Sequence, residues 1–134
     1  LAILALGTRV GAALKVADHL LQHNLEITVA GARFAKPIDT ELLEKLWDEH
    51  QKLIIIEEGS AGGFSSHCLH FLSSKDLLNK HDKEIKCLTM PDNFQDHASQ
   101  KEQLAKAGLD TGGLLKVVSK MISLSNIKNK SITN

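Results

Sequence analysis

The sequence has 134 residues with 16 acidic and 16 basic side chains, so its formal net charge is zero. A neutral chain has no electrostatic attraction to nucleic acids or anionic membranes, and we expect neither as a partner. Its apolar content of 43% is typical of a globular domain, and no apolar run reaches the roughly 18 residues of a membrane span.

The first quarter of the chain predicts a strand–helix–strand unit. Residues 1–6 form a continuous apolar run, the pattern of a strand covered on both faces. Gly7 ends this strand, Thr8 is the expected helix cap, and apolar residues then recur at helical spacing to about residue 23. Residues 26–31 predict a second strand. Such a unit places its two strands parallel, with a right-handed crossover.

The pattern then repeats along the chain. Pro37 and Asp39 open a second predicted helix. The following elements are a strand at 52–57 with three consecutive isoleucines, a glycine loop at 59–63, a third helix, a strand at 84–89, a turn at 91–94, and short helices at 99–107 and 112–123. This alternation predicts a three-layer α/β sandwich around a mostly parallel open sheet of four to five strands.

The chain is predicted to be one domain over residues 1–123, followed by a disordered tail at 124–134 that is rich in Ser, Asn and Lys. It has no initiator methionine and starts inside a predicted strand, so we expect a piece of a longer polypeptide. The opening apolar run has no basic flank and meets a turn at once, which is unlike a signal peptide.

Ligands of open α/β sheets gather at the carboxyl ends of the strands. The first such loop, residues 7–11, could cradle a phosphate, but it lacks the full dinucleotide-binding spacing, and a tight turn before a capped helix is the favoured interpretation. In the second loop, Arg33 could recognise an anion. The favoured alternative is that Arg33 pairs with a carboxylate of a neighbouring strand end or of another chain, and Glu57 and Glu58 are the candidates within the domain.

The third loop begins with Glu57 and Glu58. Adjacent strand residues point to opposite faces, so these carboxylates are not expected to share a proton in acid–base chemistry. The glycines that follow are expected to allow close packing against another subunit or domain. The predicted structural or interface residues are Arg33, Lys36, Asp39, Glu57 and Glu58, and no catalytic or cofactor-binding residue is predicted.

Metal and redox chemistry find little support in the sequence. His19 and His23 have a zinc-compatible spacing, but no third ligand lies near them, and the pair His67 and His70 is equally weak. We therefore expect no metal site. The two cysteines, at positions 68 and 87, are interpreted as buried apolar side chains of a reducing compartment.

Several strings, taken in order, span residues 1–123. They are Leu6-Gly7-Thr8-Arg9, Gly31-Ala32-Arg33-Phe34-Ala35-Lys36-Pro37-Ile38-Asp39, Glu57-Glu58-Gly59, Gly62-Gly63-Phe64, Met90-Pro91-Asp92-Asn93-Phe94 with His97, and Ala107-Gly108-Leu109-Asp110. Together they resemble the C-terminal domain of 1-deoxy-D-xylulose-5-phosphate synthase. The sequence departs from that pattern at Ser65 and Ala98, where glycine is common, and at Ile38, where leucine is common.

The resemblance implies a parent enzyme that uses thiamine diphosphate and Mg²⁺ to join pyruvate carbon to glyceraldehyde 3-phosphate, for isoprenoid, thiamine and pyridoxal synthesis. The cofactor motifs of such enzymes belong to other domains and do not occur in this chain, so we expect the chain alone to bind no cofactor and to be inactive. Its implied partners are the N-terminal and middle domains of its own enzyme, in a homodimer located in the cytoplasm or a plastid-like compartment.

Two alternatives remain open. The chain could be the matching domain of a transketolase or of a 2-oxoacid dehydrogenase β subunit, although the Phe34-Ala35-Lys36-Pro37 spelling argues against both. It could also be a stand-alone regulatory module that binds a small anion at the strand ends.

Overall fold

The computed structural model describes residues 1–80, 82–92 and 97–132, with side chains up to residue 123 of the last helix. Each strand and helix that the sequence predicts within these ranges is present. In chain order the elements are β1 Ala2–Leu6, α1 Arg9–Leu21, β2 Thr28–Ala32, α2 Thr40–Glu49, β3 Lys52–Ser60, α3 Phe64–Ser74, a 3₁₀ turn Leu77–Asn79, β4 Glu84–Met90, α4 Gln100–Lys106 and α5 Thr111–Ile132.

The strands form one sheet in the order β2-β1-β3-β4, and each neighbouring pair is parallel. Helices α1 and α5 cover one face of the sheet, and α2 and α3 cover the other. This arrangement confirms the predicted three-layer α/β sandwich. The strand order also places β1 and β3 at the centre and leaves β2 and β4 at the edges.

Strand β3 contributes to the apolar core on both faces. Ile54 and Ile56 pack with α1 and α5, whereas Leu53 and Ile55 pack with α2 and α3. All four side chains are fully buried. These four residues of the strand are all apolar because a central parallel strand is covered by helices on both faces and has no side in contact with solvent.

Helix starts follow the capping rules at α2 and α4 and depart from them at α1. The Asp39 side chain accepts a hydrogen bond from the Leu42 amide at 3.0 Å, and Ser99 forms a capping box with Glu102 at the start of α4. Thr8 stands at the cap position of α1 but makes no side-chain capping bond. The expected Thr8 cap is therefore wrong, because its hydroxyl donates to Glu58 instead.

Two elements extend well beyond the ends that the sequence pattern indicates. Strand β3 continues to Ser60 through an irregularity in its pairing with β4 between Ile56 and Ser60. Helix α5 continues past residue 123 to Ile132, and the division into a domain at 1–123 and a disordered tail at 124–134 stays a prediction. Part of the predicted 91–94 turn lies outside the described residues. None of the described helices combines the length and apolar character needed to cross a bilayer.

Candidate functional site

The carboxyl ends of the parallel strands share one edge of the sheet, where the candidate residues lie. Glu57, near the end of β3, is buried and points toward α3. Its carboxylate accepts hydrogen bonds from the backbone amides of Phe64 at 3.1 Å and Ser65 at 2.5 Å. These amides belong to the first turn of α3, whose N-terminus carries partial positive charge. Glu57 thus takes the place of a capping side chain, which the N-cap residue Gly63 cannot supply.

The neighbouring glycines make room for this carboxylate. A Cβ atom added at Gly59 would lie 2.6 Å from Oε1 of Glu57, and one added at Gly63 would lie 2.5 Å from the same oxygen. Both distances are shorter than non-bonded atoms tolerate. Two of the loop glycines thus have a role inside the domain, where they leave space for the Glu57 side chain. The expected packing of the glycines against another subunit or domain stays a prediction.

Glu58 points to the opposite face and pairs with Arg9. Nε of Arg9 lies 3.1 Å from Oε1 of Glu58, and the Thr8 hydroxyl donates to the same oxygen. Gln100 donates to the second carboxylate oxygen at 3.3 Å. The two glutamates therefore lie on opposite faces of the sheet, as the strand alternation predicts, and they do not form a proton-sharing pair.

Arg9 is only 9% exposed and uses each of its nitrogen atoms. Besides Glu58, it donates to the Leu109 carbonyl oxygen at 2.6 Å and to the Thr8 hydroxyl at 3.3 Å. The guanidinium thus joins the start of α1, the end of β3 and the turn that precedes α5. A carboxylate already lies beside the start of α1, so its charge disfavours a phosphate at the 7–11 loop.

An open cleft of about 400 Å³ adjoins the Arg9–Glu58 pair. Its rim includes Lys15, Lys101 and Asp110, from α1, α4 and the turn before α5. The cleft contains charges of both signs, and its central ion pair is satisfied internally. The described residues therefore form a structural junction here, without an unengaged buried acid, base or nucleophile.

Arg33 lies in a different environment, beyond the end of the edge strand β2. It is exposed and contacts no carboxylate in the described part of the chain. The expected pairing with Glu57 or Glu58 within the domain is therefore wrong. Strand β1 lies between β2 and β3, so the end of β2 is two strand spacings, or about 10 Å, from the end of β3. Arg9 follows β1, which is the direct neighbour of β3, and is therefore the nearer arginine. A carboxylate partner from another subunit or domain stays a prediction.

The rest of the Arg33 loop forms an exposed bend before α2. Lys36 and Pro37 are exposed and joined by a cis peptide bond, and the Asp39 carboxylate caps α2. Asp39 therefore has a structural role that the sequence predicts from its position. The interface roles proposed for Lys36 and Arg33 stay predictions.

The fold and this edge can be compared with known proteins. A family model described as "Transketolase, C-terminal domain" matches residues 1–114. The chain belongs to this family. A solved structure described as "Split gene transketolase, inactive beta4 tetramer" is 27% identical in sequence and superposes with a TM-score of 0.73. The match covers 92% of this chain and 38% of that one, so the present chain spans well under half of the solved chain's length.

The described residues of this transketolase C-terminal domain do not fit a metal–diphosphate group. They contain no cluster of three or more side chains able to hold a metal ion. His23 instead hydrogen-bonds the His19 carbonyl oxygen through Nδ1, at 2.9 Å, and the two rings are stacked at a tilt with centroids 4.8 Å apart. These histidines therefore contact each other on the surface of α1.

Both cysteines of the transketolase C-terminal domain are free. Burial raises the pKa of the Cys68 thiol to about 12, with smaller contributions from Cys87 and Glu57. Burial also raises the pKa of Cys87, against the opposing effect of a hydrogen bond with Ser65. A thiol with a raised pKa is a poor nucleophile at neutral pH, because little thiolate is present.

The residue that sequence reasoning missed is Arg9. It was noted as part of a possible phosphate loop and of the string Leu6-Gly7-Thr8-Arg9, whereas it forms the central ion pair of this edge. The strand order decides which arginine meets Glu58, and a single sequence does not contain that order. The available indication was that Arg9, like Arg33, lies shortly after the end of a strand, so both were candidates.

Proposed function

We propose that this chain is the C-terminal domain of a thiamine-diphosphate-dependent 1-deoxy-D-xylulose-5-phosphate synthase, in which it supports folding and dimerisation and leaves catalysis to other domains. Membership of the transketolase C-terminal domain family supports the coarse assignment. The finer one rests on the Arg33-Phe34-Ala35-Lys36-Pro37-Ile38-Asp39 string with the downstream Pro91-Asp92, which resembles the synthase pattern.

The observation that carries the non-catalytic role is the engagement of both strand-end carboxylates. Glu57 is fixed by two backbone amides of α3, and Glu58 is fixed by Arg9, Thr8 and Gln100. A general acid or base must be able to reach a substrate proton. Carboxylates held by several internal donors stabilise the fold instead.

In the proposed parent enzyme, thiamine diphosphate supplies the carbanion chemistry on pyruvate, and Mg²⁺ holds its diphosphate. The residues that would bind them lie outside this chain, which has neither a G-D-G…N string nor a fitting group of ligands among its described residues. The domain's own contribution is to present a rigid surface to its neighbours.

A transketolase parent is the second candidate, because the matched structure is described as a split-gene transketolase. An assay of the full-length gene product with thiamine diphosphate and Mg²⁺ separates the two. We expect CO₂ release from pyruvate that depends on glyceraldehyde 3-phosphate and yields a five-carbon ketose phosphate. Two-carbon transfer between sugar phosphates without pyruvate decarboxylation would instead establish the transketolase.

A further inference from the structure

We propose that the cleft beside Arg33 and Phe34 is the docking site for a segment of the same, longer polypeptide that presents an apolar side chain followed by a carboxylate. This inference rests on the proposed function, since it requires further domains outside residues 1–134. It assigns the surface and the chemistry of the contact, which the family membership does not. We call this surface the Arg33 groove and define it by Arg33, Phe34, Pro37, Ile38 and Leu42.

The groove has an apolar wall that nothing in the described chain covers. Its volume is about 550 Å³, and the Phe34 side chain at its rim is 68% exposed. A narrow void next to it reaches the buried side chains of Phe64 and Cys68, so its floor lies directly over the core. Exposed aromatic surface of this kind is typical of sites where another protein segment packs.

The charges at the rim indicate that the occupant is acidic. Arg33 and Lys36 contact no carboxylate among the described residues. The one acid in the groove wall, Asp39, is already engaged by the Leu42 amide. The unpaired cation of Arg33 in the groove wall, with Lys36 in the same loop, complements a segment that carries an apolar side chain and a carboxylate.

The presence of arginine at position 33, in place of lysine, indicates which chemical groups the docked segment presents to this side chain. Only two arginines occur in the sequence, at positions 9 and 33. Arg9 shows what the guanidinium does in this fold, because it bonds a carboxylate and a carbonyl oxygen of separate elements at once. A planar fork at position 33 suits the same kind of contact, which a lysine cannot reproduce.

A second copy of this domain and a small anion are less suitable occupants. The acids of the domain that lie at the same edge of the sheet, Glu57 and Glu58, are engaged internally. A small anion would satisfy Arg33 but leave the exposed ring of Phe34 in water. The matched solved chain extends far beyond the region this domain covers, so the polypeptide itself offers the occupant.

The test places the photo-crosslinker p-benzoylphenylalanine at position 34 of the full-length gene product, with the same group at Leu14 as a control. Leu14 is 50% exposed and lies outside the groove. We expect light to join position 34 to a peptide of the same polypeptide outside residues 1–134, next to an Asp or Glu. The Leu14 control should not yield that peptide.

A charge-reversal pair completes the test. We expect Arg33→Glu to lower the yield of the position-34 crosslink at least tenfold, and reversal of the crosslinked acid to Arg to restore that yield. The proposal is overturned by no crosslink from position 34, by a crosslink to a second copy of this domain or to a foreign protein, or by retention of a small anion in the groove.

Two further results keep the proposals separate. The Arg33→Glu variant could instead show a tenfold rise in the Michaelis constant for glyceraldehyde 3-phosphate while the yield of the position-34 crosslink is unchanged. That result would make Arg33 a substrate ligand and would overturn the docking role. A native mass equal to that of the 134-residue chain alone would overturn the proposed parent enzyme before any crosslinking is done.

Discussion

Glu57 and the glycines at positions 59 and 63 depend on one another. The carboxylate is buried, it accepts two amide hydrogen bonds from α3, and the absent side chains of the glycines provide its space. A buried acceptor that loses its donors, or a Cβ atom forced against it, costs free energy through desolvation or overpacking. The glycines of the 59–63 loop therefore allow the Glu57 carboxylate to be buried and hydrogen-bonded.

Substitution of Gly63 tests this dependence. Gly63→Ala should lower the free energy of unfolding by about 1–3 kcal/mol, because its Cβ atom would overlap Oε1 of Glu57. The same change in a Glu57→Ala background should cost clearly less, since the obstructing oxygen is gone. Urea unfolding of the four variants measures the coupling.

Gly11 provides the matched control. It lies in α1, and an added Cβ atom would meet nothing within 4 Å. Gly11→Ala should therefore stabilise the chain by roughly 0.5–1 kcal/mol through helix propensity and a restricted unfolded chain. If alanine is equally tolerated at positions 63 and 11, the Glu57 account is wrong.

The two arginines should respond differently to the same substitution. Arg9→Lys removes the fork that bonds Glu58 and the Leu109 carbonyl oxygen, so we expect a loss of about 1–3 kcal/mol in the stability of the isolated chain. Arg33→Lys should change it by less than about 0.5 kcal/mol, because the side chain is exposed and unpaired among the described residues. Thermal unfolding of both variants decides the point, and equal losses would contradict it.

Cys68 should react slowly while the chain is folded. With its pKa raised to about 12 by burial, its thiolate fraction at pH 8 is roughly a thousandfold below that of an ordinary cysteine. Alkylation with iodoacetamide should therefore be slow in buffer and fast in urea. The raised pKa also means that the folded state holds this proton more tightly. That contribution to stability is complete below the pKa of the unfolded thiol and is lost as the pH rises toward 12.

At the scale of elements, the sequence pattern correctly predicted which strands and helices exist and their order along the chain. The alternation of apolar strands and amphipathic helices depends on local periodicity, which one sequence contains. The end of β3 was misplaced at Glu57, because the irregular pairing with β4 extends the strand through polar residues. The end of α5 was placed at residue 123 because the residues that follow are rich in Ser, Asn and Lys, whereas the helix continues to Ile132.

Strand β3 offers the direct test of burial on both faces. Ile55 is fully buried between the sheet and the helices α2 and α3. Ile55→Ala should lower the free energy of unfolding by about 2–5 kcal/mol, as other large-to-small changes in cores do. Urea unfolding measures the loss, and Leu14→Ala, at a half-exposed position, is the control. A cost near zero for Ile55→Ala would place β3 at the surface.

At the scale of the whole molecule, the candidate site was predicted less well than the fold. The opposite orientation of Glu57 and Glu58 and the Asp39 cap follow from strand and helix geometry alone. The partner of Glu58 cannot be predicted in this way, because it depends on which strands are neighbours in the sheet. That order results from packing across the sheet, over separations of about 50 residues such as that between Arg9 and Glu58.

The whole chain should also be inert toward the cofactor of the proposed parent enzyme. Isothermal titration of the 134-residue chain with thiamine diphosphate and Mg²⁺ should give no heat beyond dilution, because the residues that bind them are expected in other domains. A full-length gene product titrated in the same buffer is the positive control. A micromolar dissociation constant for the isolated chain would contradict the domain assignment.

The position of β3 between two core clusters has a consequence for how the chain opens. Its inner residues belong to both faces, so neither helical layer can separate from the sheet without exposing apolar surface of this strand. Amide hydrogens of β3 should therefore exchange with deuterium only through opening of most of the domain, and most slowly of all strands. Those of β2, at an edge and partly exposed, should exchange earlier. The order of exchange across the sheet would then retrace its strand order from the centre outward.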